Sequence, residues 1–397
     1  MIVIIRQYEG IPRFWLLPYL WLELRQQDIL AMALILTFLG KGGTGRSTMA
    51  IAAAKQFAGQ GKRVLFVGQD PSPALDLLLG APLTADPQEI AANFQAVKLL
   101  TATLLERSWE EVKKLEAQYL RSPFFKAVYG QELGVLPGMD NALALNAIRE
   151  FETSGKYDVI VFDSEGDAAT LRMLGMPEIL SWYIRRFRQV FADSDLGKTI
   201  APFVQPIASA VLNVNWSSGD IFSQPAAAQV NNLLDEGKAA VADPNRFIAY
   251  LVTTNDPAAI AAAKYLWGSA QQIGLTIGGV LLNQSNGTEA VQSEFAPLTV
   301  KALPTRQGDD WQPLLSALPD FTQAAQAPKP IRIDTSERKV YLFLPGFDKK
   351  QVKLTQYGPE VTIEAGDQRR NIFLPPELSG KPVTGAKFQD GYLIISF

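Results

Sequence analysis

The stretch Leu39–Thr48 reads LGKGGTGRST. From Gly40 to Ser47 it carries the spacing G-x4-G-[K/R]-S. It stands between an apolar run, Ala33–Gly40, and an Ala-rich helical pattern that starts at Ser47 and stops at Gly61. That strand–loop–helix context is the one a phosphate loop requires. Its glycines let successive backbone N–H groups converge on one point, and the helix N-terminus adds partial positive charge. Gly40, Lys41, Gly42, Gly43, Thr44, Gly45, Arg46, Ser47 and Thr48 are therefore the candidate phosphate-binding residues, and the Ser47 hydroxyl is a candidate ligand of Mg²⁺. Arg46 occupies the place where such loops carry lysine, which leaves open whether the site turns nucleotide over.

The pattern continues outward as alternating elements. The apolar run from Ala33 and a second one, Lys62–Asp70, flank the Ala-rich helix as a βαβ unit, so a parallel, helix-covered sheet is predicted. Tyr157–Asp163, Arg246–Thr254 and Ile277–Gln284 read as further strands. Ala91–Tyr129 and Leu171–Asn213 read as long helical stretches. After about Ala325 a Pro/Ala-rich linker, 326–336, leads to short alternating strands over 337–397, a small all-β domain. The expected fold class is α/β, a P-loop domain over 32–325 with a mostly parallel central sheet and a helical insertion layer, followed by that β-sandwich.

Composition limits the chemistry. The chain of 397 residues has no Cys and no His, so disulfides, thiolate zinc and imidazole acid/base catalysis are excluded. A formal charge of −3 gives no global basic field, and nucleic acid is not expected as a partner. Residues 1–31 contain an apolar run, Phe14–Leu22, that is too short to span a membrane, is broken by Pro18 and lacks a basic leader. Two readings remain, an interfacial segment anchored by Trp15, Tyr19 and Trp21, or an extension upstream of a start at Met32. The second is preferred because the first strand begins directly after Met32.

With these motifs in place, the chain resembles the ArsA/Get family of P-loop ATPases, whose loop usually reads GKGGVGKTT. DPSPALDLLLG (Asp70–Gly80) is similar to that family's switch I, LPGMDNALAL (Leu136–Leu145) to its PGIDEA segment, and YDVIVFDSEGDAATLRML (Tyr157–Leu174) to its switch II. GGVLLNQ (Gly278–Gln284) is similar to the strand that ends in an adenine-reading asparagine. The resemblance implies an ATPase that uses ATP and Mg²⁺ as a homodimer. Lys41 would act across the dimer, Asp70 would orient the attacking water, and Asp163 would reach Mg²⁺ through water. Asn283 would read the adenine edge, and Leu303 and Pro304 would pack the ring. No zinc is expected, because the Cys pair that closes such a site in many relatives is missing.

The targeting branch of the family further implies a groove for hydrophobic protein segments, including tail-anchored membrane proteins. Met173, Met176, Ile179, Trp182 and Phe203, just after switch II, are the candidate lining. A cytoplasmic chaperone or targeting factor that visits a membrane surface is the leading reading, with the plastid stroma as another location. A scaffold with little turnover and a metalloid-transport ATPase are the alternatives, the latter disfavoured by the lack of Cys. Residues 337–397 resemble the α-crystallin domain of small heat-shock proteins, through LPGF, F-x-LP-x-x-L and the final DG-x-L-x-I.

Departures from the family pattern bear on turnover. Besides Arg46, switch II reads Ser164-Glu165-Gly166-Asp167-Ala168-Ala169-Thr170 where TAPTGHT is usual, which adds two acids and removes a proline and a histidine. Pro73 and Leu77 replace the histidine and the later aspartate of switch I.

Overall fold

The computed structural model describes residues 32–119, 138–193 and 224–397. The N-terminal extension and Phe203 lie outside the described residues. The first strand, β1 (Leu34–Leu39), is almost wholly buried, as its unbroken apolar run requires. Helix α1 (Arg46–Gly59) follows the loop and buries its alanine face with Met49, Ile51 and Phe57. Next come β2 (Val64–Gly68), the short α2 (Ala74–Leu79), β3 (Gln88–Ala91) and β4 (Phe94–Lys98). Helices α3 (Thr101–Tyr119) and α4 (Met139–Thr153) precede β5 (Val159–Asp163). They are followed by α5 (Ala168–Asp193), α6 (Gln224–Ala242), β6 (Phe247–Thr253), α7 (Pro257–Gln272), β7 (Thr276–Asn283), β8 (Val300–Leu303) and α8 (Gln312–Ala317).

The sheet runs β3-β4-β2-β5-β1-β6-β7-β8 and is parallel except for the antiparallel edge strand β3. Because β1 lies between β5 and β6, chain connections leave it in both directions, and the crevice at its C-terminal end is where ligands bind in open α/β sheets. Two apolar cores form, one on each face of the sheet.

Two expectations are corrected here. The helical reading of Ala91–Tyr129 fails at its start, where Phe94–Lys98 is a parallel strand on β2, because five residues with a buried apolar face satisfy a strand as well as a helical turn. The linker 326–336 is not all connection either, since β9 (Ile331–Asp334) pairs antiparallel with β10 (Lys339–Phe343). Neighbouring prolines and an alternation only four residues long hid it.

Beyond β10 lie β11 (Val352–Tyr357), β12 (Glu360–Ala365), β13 (Gln368–Phe373), β14 (Gly385–Gln389) and β15 (Tyr392–Ser396). They form a four-stranded sheet, β14-β15-β10-β9, and a three-stranded one, β11-β12-β13, packed around Val340, Leu342, Val361, Ile363, Ile372 and Ile395. This sandwich docks on α7 and α5. Gly268 of α7 is needed at the contact, because a Cβ there would collide with the Pro345 carbonyl and the Phe347 ring. Tyr265 stacks edge-on against Phe347 at 5.7 Å and accepts the Asp367 amide N–H at 3.0 Å. Arg370 donates to the Gln271 carbonyl at 2.6 Å, capping the end of α7, and burial pulls its guanidinium down to about 10. On α5, Arg172 pairs with Asp367, and Arg369 lies over the Trp182 ring at 4.6 Å.

Candidate functional site

The loop Gly40–Gly45 leaves the buried end of β1 and turns into α1 through Gly45, whose φ of 97° places it in the left-handed region. Its shape is held from three directions. The Gly40 N–H donates to the Gly166 carbonyl at 2.9 Å, which ties the loop to switch II. Both the Thr44 N–H, at 3.2 Å, and its hydroxyl, at 2.8 Å, donate to the Lys41 carbonyl. The Asn283 amide, at the end of β7, donates to the Thr44 carbonyl at 2.8 Å. Lys41, Gly42 and Gly43 stay exposed, and no atom crowds Gly42 or Gly43. Among the described residues the Lys41 side chain takes part in no ion pair or hydrogen bond.

Arg46 starts α1 and turns its guanidinium inward. Burial lowers its pKa, while Asp163, Asp167 and Glu165, in that order, oppose the loss of charge. Its Nη1 is buried and has no hydrogen-bond partner in the structure. A buried donor of a cation left in that condition is costly, so the site suits an anion that supplies acceptors. The room for this side chain comes from Gly166, since a Cβ there would lie 2.5 Å from Nη1 and 2.6 Å from the Phe38 carbonyl.

Asp163, the last residue of β5, is buried, and burial raises its carboxyl to about 6. A hydrogen bond from Ser47 and the charge of Arg46 work against that rise, and the charge of Asp70 adds to it. Ser47 and Asp163 thus stand together under the loop, a neutral hydroxyl beside a desolvated carboxylate. That donor set fits a hard cation such as Mg²⁺. Asp70 lies two residues past the end of β2 and is exposed, with its oxygens accepting the Ser72 amide at 2.8 Å and the Ser72 hydroxyl at 2.9 Å. The Ser164–Thr170 segment is stitched to β1. Thr37 lies 3.3 Å from the Ser164 hydroxyl, and the Gly166 N–H donates to Thr170 at 2.8 Å. Glu165 and Asp167 both face solvent, and Asp167 accepts the Ala169 N–H at 2.7 Å at the head of α5.

Several expected site residues are placed otherwise. Leu303 is fully buried and belongs to the core with Leu36 and Leu281, so it has no face left for a base, whereas Pro304 after it is half-buried. Asn283 directs one amide N–H to the Thr44 carbonyl, and its oxygen accepts the Gln284 N–H at 2.9 Å. Here it braces the loop.

The proposed client lining is not one surface. Met173 is fully buried in the ATPase core. Met176 lines an apolar cavity of about 310 Å³ between α4, α5 and α6. Ile179 points to the junction with the β-sandwich, and Trp182 lies under Arg369. Successive positions of one helix face different neighbours, and the one-dimensional pattern does not separate those faces. Sequence reading also missed Lys98, a buried cation that closes the apolar run of β4. A charge inside FQAVKLL was the available signal.

A glycine-rich loop, a paired hydroxyl and carboxylate, and a strand-end crevice define a P-loop nucleotide-binding protein. Residues 33–302 match the anion-transporting ATPase family, and residues 335–397 match the HSP20-like domain found in ArsA proteins. The chain belongs to the anion-transporting ATPase family and is an ATPase.

Among its relatives is a putative arsenical pump-driving ATPase of Prosthecochloris vibrioformis, 25% identical over 389 residues, covering 91% of this chain and 95% of that protein. Putative arsenical pump-driving ATPase 1 of Aquifex aeolicus is 21% identical over 401 residues, covering 91% and 99%. ATPase GET3 of Malassezia globosa is 26% identical over 188 residues, 47% of this chain and 53% of that one. No helix among the described residues is long and apolar enough to cross a membrane.

Proposed function

We propose that the chain is an ATP-dependent homodimeric targeting factor or chaperone that shields hydrophobic protein segments. The observation that carries this reading is Lys41, a cation held in the phosphate loop yet exposed and unpaired among the described residues. A lysine that its own subunit does not use suits phosphates bound in a second copy. Within one subunit, the loop amides and Arg46 bind the phosphates, and Ser47, with Asp163 acting through water, would hold Mg²⁺, which would supply neutralisation of phosphate charge. Asp70 orients the water for attack. Pro304 borders the base, and Asn283 keeps the loop in register beside it. Zinc has no part in the dimer.

The proposed clients are tail-anchored membrane proteins met in the cytoplasm, as the resemblance to the targeting branch implies, and an ATPase named GET3 is among the relatives. The relatives named for arsenical pumping favour metalloid transport instead, but a soft metalloid needs thiolates, and the chain has no Cys. A nucleotide-binding scaffold with slow turnover is the second reading, favoured by the buried Arg46.

The test is single-turnover ATP hydrolysis with and without an apolar membrane-segment peptide, alongside light scattering with and without ATP. Peptide-dependent hydrolysis by a dimer supports targeting. A monomer in both nucleotide states removes the role of Lys41, and binding with no turnover in either condition selects the scaffold.

A further inference from the structure

Switch I of this chain is anchored by a buried lysine that no part of the nucleotide site touches. Lys98 ends β4 with 7% of its side chain exposed. Its Nζ donates to the Ser72 carbonyl at 3.0 Å and pairs with Asp76 Oδ1 at 2.8 Å. Ser72 is also the residue that grips Asp70, through its amide on one carboxylate oxygen and its hydroxyl on the other. Asp76 in turn lies in the first turn of α2 and accepts the Leu83 N–H at 3.4 Å. The backbone under Lys98 is fixed as well. Its N–H donates to the Thr84 carbonyl at 2.8 Å, and the next residue, Leu99, donates to the Gly68 carbonyl at 2.8 Å. A continuous chain of polar contacts therefore runs from the rigid end of β4 through Ser72 to the Asp70 carboxylate.

We propose that Lys98 is the positioning residue of Asp70, acting through Ser72. The inference rests on the assignment of Asp70 above and adds the device that holds it. Asp70 lies past the end of β2 and is exposed, so its strand does not fix its side chain. Water-orienting groups work only within narrow geometric limits, and a displacement of about 1 Å can cost about a hundredfold in rate. Ser72 alone cannot meet that need, because it sits in the same loop, before α2. Lys98 supplies the external reference. It belongs to the sheet, and it reaches the loop at the Ser72 carbonyl, on the residue that binds both carboxylate oxygens. Burial of the ammonium makes the anchor firm, because leaving either Nζ contact exposes a desolvated charge.

The experiment uses the full chain and Mg-ATP, with single-turnover hydrolysis and ATP binding measured separately. Lys98→Met combined with Asp76→Leu replaces the buried lysine and its partly exposed partner by apolar side chains, which preserves folding better than removing one partner. We expect hydrolysis to fall by about tenfold to about a hundredfold in the double variant while the ATP dissociation constant stays within about twofold. Lys98→Arg, which can still reach the Ser72 carbonyl, should recover most of the rate. A double variant that unfolds like the parent and hydrolyses ATP at the parent rate, while Asp70→Asn is inactive, overturns the role of Lys98 and leaves Asp70 in place. Parent-like hydrolysis by Asp70→Asn removes the assignment of Asp70 and this inference with it. Loss of binding in proportion to rate makes Lys98 a purely structural residue and overturns the proposal.

Discussion

The guanidinium of Arg46 occupies the space that a side chain on Gly166 would need, with Nη1 2.5 Å from the position of a Cβ there. The chain thus departs from its family's loop and from its family's switch II at two touching positions. A lone lysine-to-arginine change would force the larger head against residue 166, and glycine at φ 64° removes that conflict. The pair argues that the site is built around arginine.

The first prediction tests that coupling. Gly166→Ala should lower nucleotide affinity about tenfold in the parent and much less in an Arg46→Lys background, because touching residues couple by about 0.5–3 kcal/mol while the backbone strain of alanine is common to both. Isothermal titration with ATP across the four proteins measures the difference. Equal losses in both backgrounds would place the cost in the Phe38 carbonyl and the backbone of residue 166, not in Arg46.

Asp70→Asn keeps the Ser72 contacts sterically possible but weakens the acceptor. Hydrolysis should drop by about a hundredfold or more with ATP binding changed less than about twofold, since a water-orienting carboxylate acts in the transition state. Lys41→Ala should lower hydrolysis as strongly and also weaken the ATP-dependent dimer. Sedimentation of both variants with ATP separates the two effects, because Asp70→Asn should still dimerise.

The nucleotide half of the molecule was legible in the sequence because its signals are local. Gly40–Ser47, Asp163 and the apolar strands each announce themselves within a few residues. What could not be read depends on contacts between distant segments. Lys98 meets Ser72 across 26 positions, and Asn283 meets Thr44 across 239. Leu303 and Met173 have the residue types of a ligand wall, yet the strand and helix that carry them turn both into the core. Phe94–Lys98 was lost among helical signals because its partner strand, β2, begins thirty positions earlier.

Protonation offers a second handle on the Lys98 contact. The hydrogen bond from Lys98 holds the Asp76 carboxyl below the ordinary carboxylate range, so the unfolded chain binds its proton more readily than the folded one. The pair's contribution is therefore present above a pH of about 4 and is lost as pH falls through the lowered folded value. Thermal unfolding of the parent should decline on acidification more steeply than that of the Lys98→Met, Asp76→Leu variant. Parallel profiles would show that Asp76 draws no net stability from its partner.

A different ion pair lies at the opposite end of the sheet. Arg246, just before β6, binds Glu152 of α4 through two nitrogens at 3.0 Å, with only 4% of the Glu152 side chain exposed. Removing one partner of a buried pair leaves an uncompensated charge, so Glu152→Ala should cost about 3–5 kcal/mol. Replacing both residues by leucine should cost much less. Urea unfolding of the two variants gives the comparison, and an equal loss in both would place the energy in packing.

The β-sandwich gives the last prediction, because its docking passes through a residue that has no side chain. Gly268 lets α7 lie directly against the Pro345 carbonyl and the Phe347 ring, while Tyr265, Gln272 and Arg370 tie the same surfaces by hydrogen bonds. Gly268→Val would insert an isopropyl group into that contact from inside a helix, where the backbone cannot retreat. Overpacking of a closed contact costs about 1–3 kcal/mol, and here the strain can be relieved by separating the sandwich from α7. Limited proteolysis should then cut the variant faster than the parent in the stretch 327–330. Calorimetry should show two transitions, because each sheet system retains its own apolar core. ATP affinity should stay near that of the parent, since Gly268 does not touch the phosphate loop. A single transition at the parent temperature, with no new cleavage, would mean that the valine is absorbed within α7 and that the docking tolerates a larger residue.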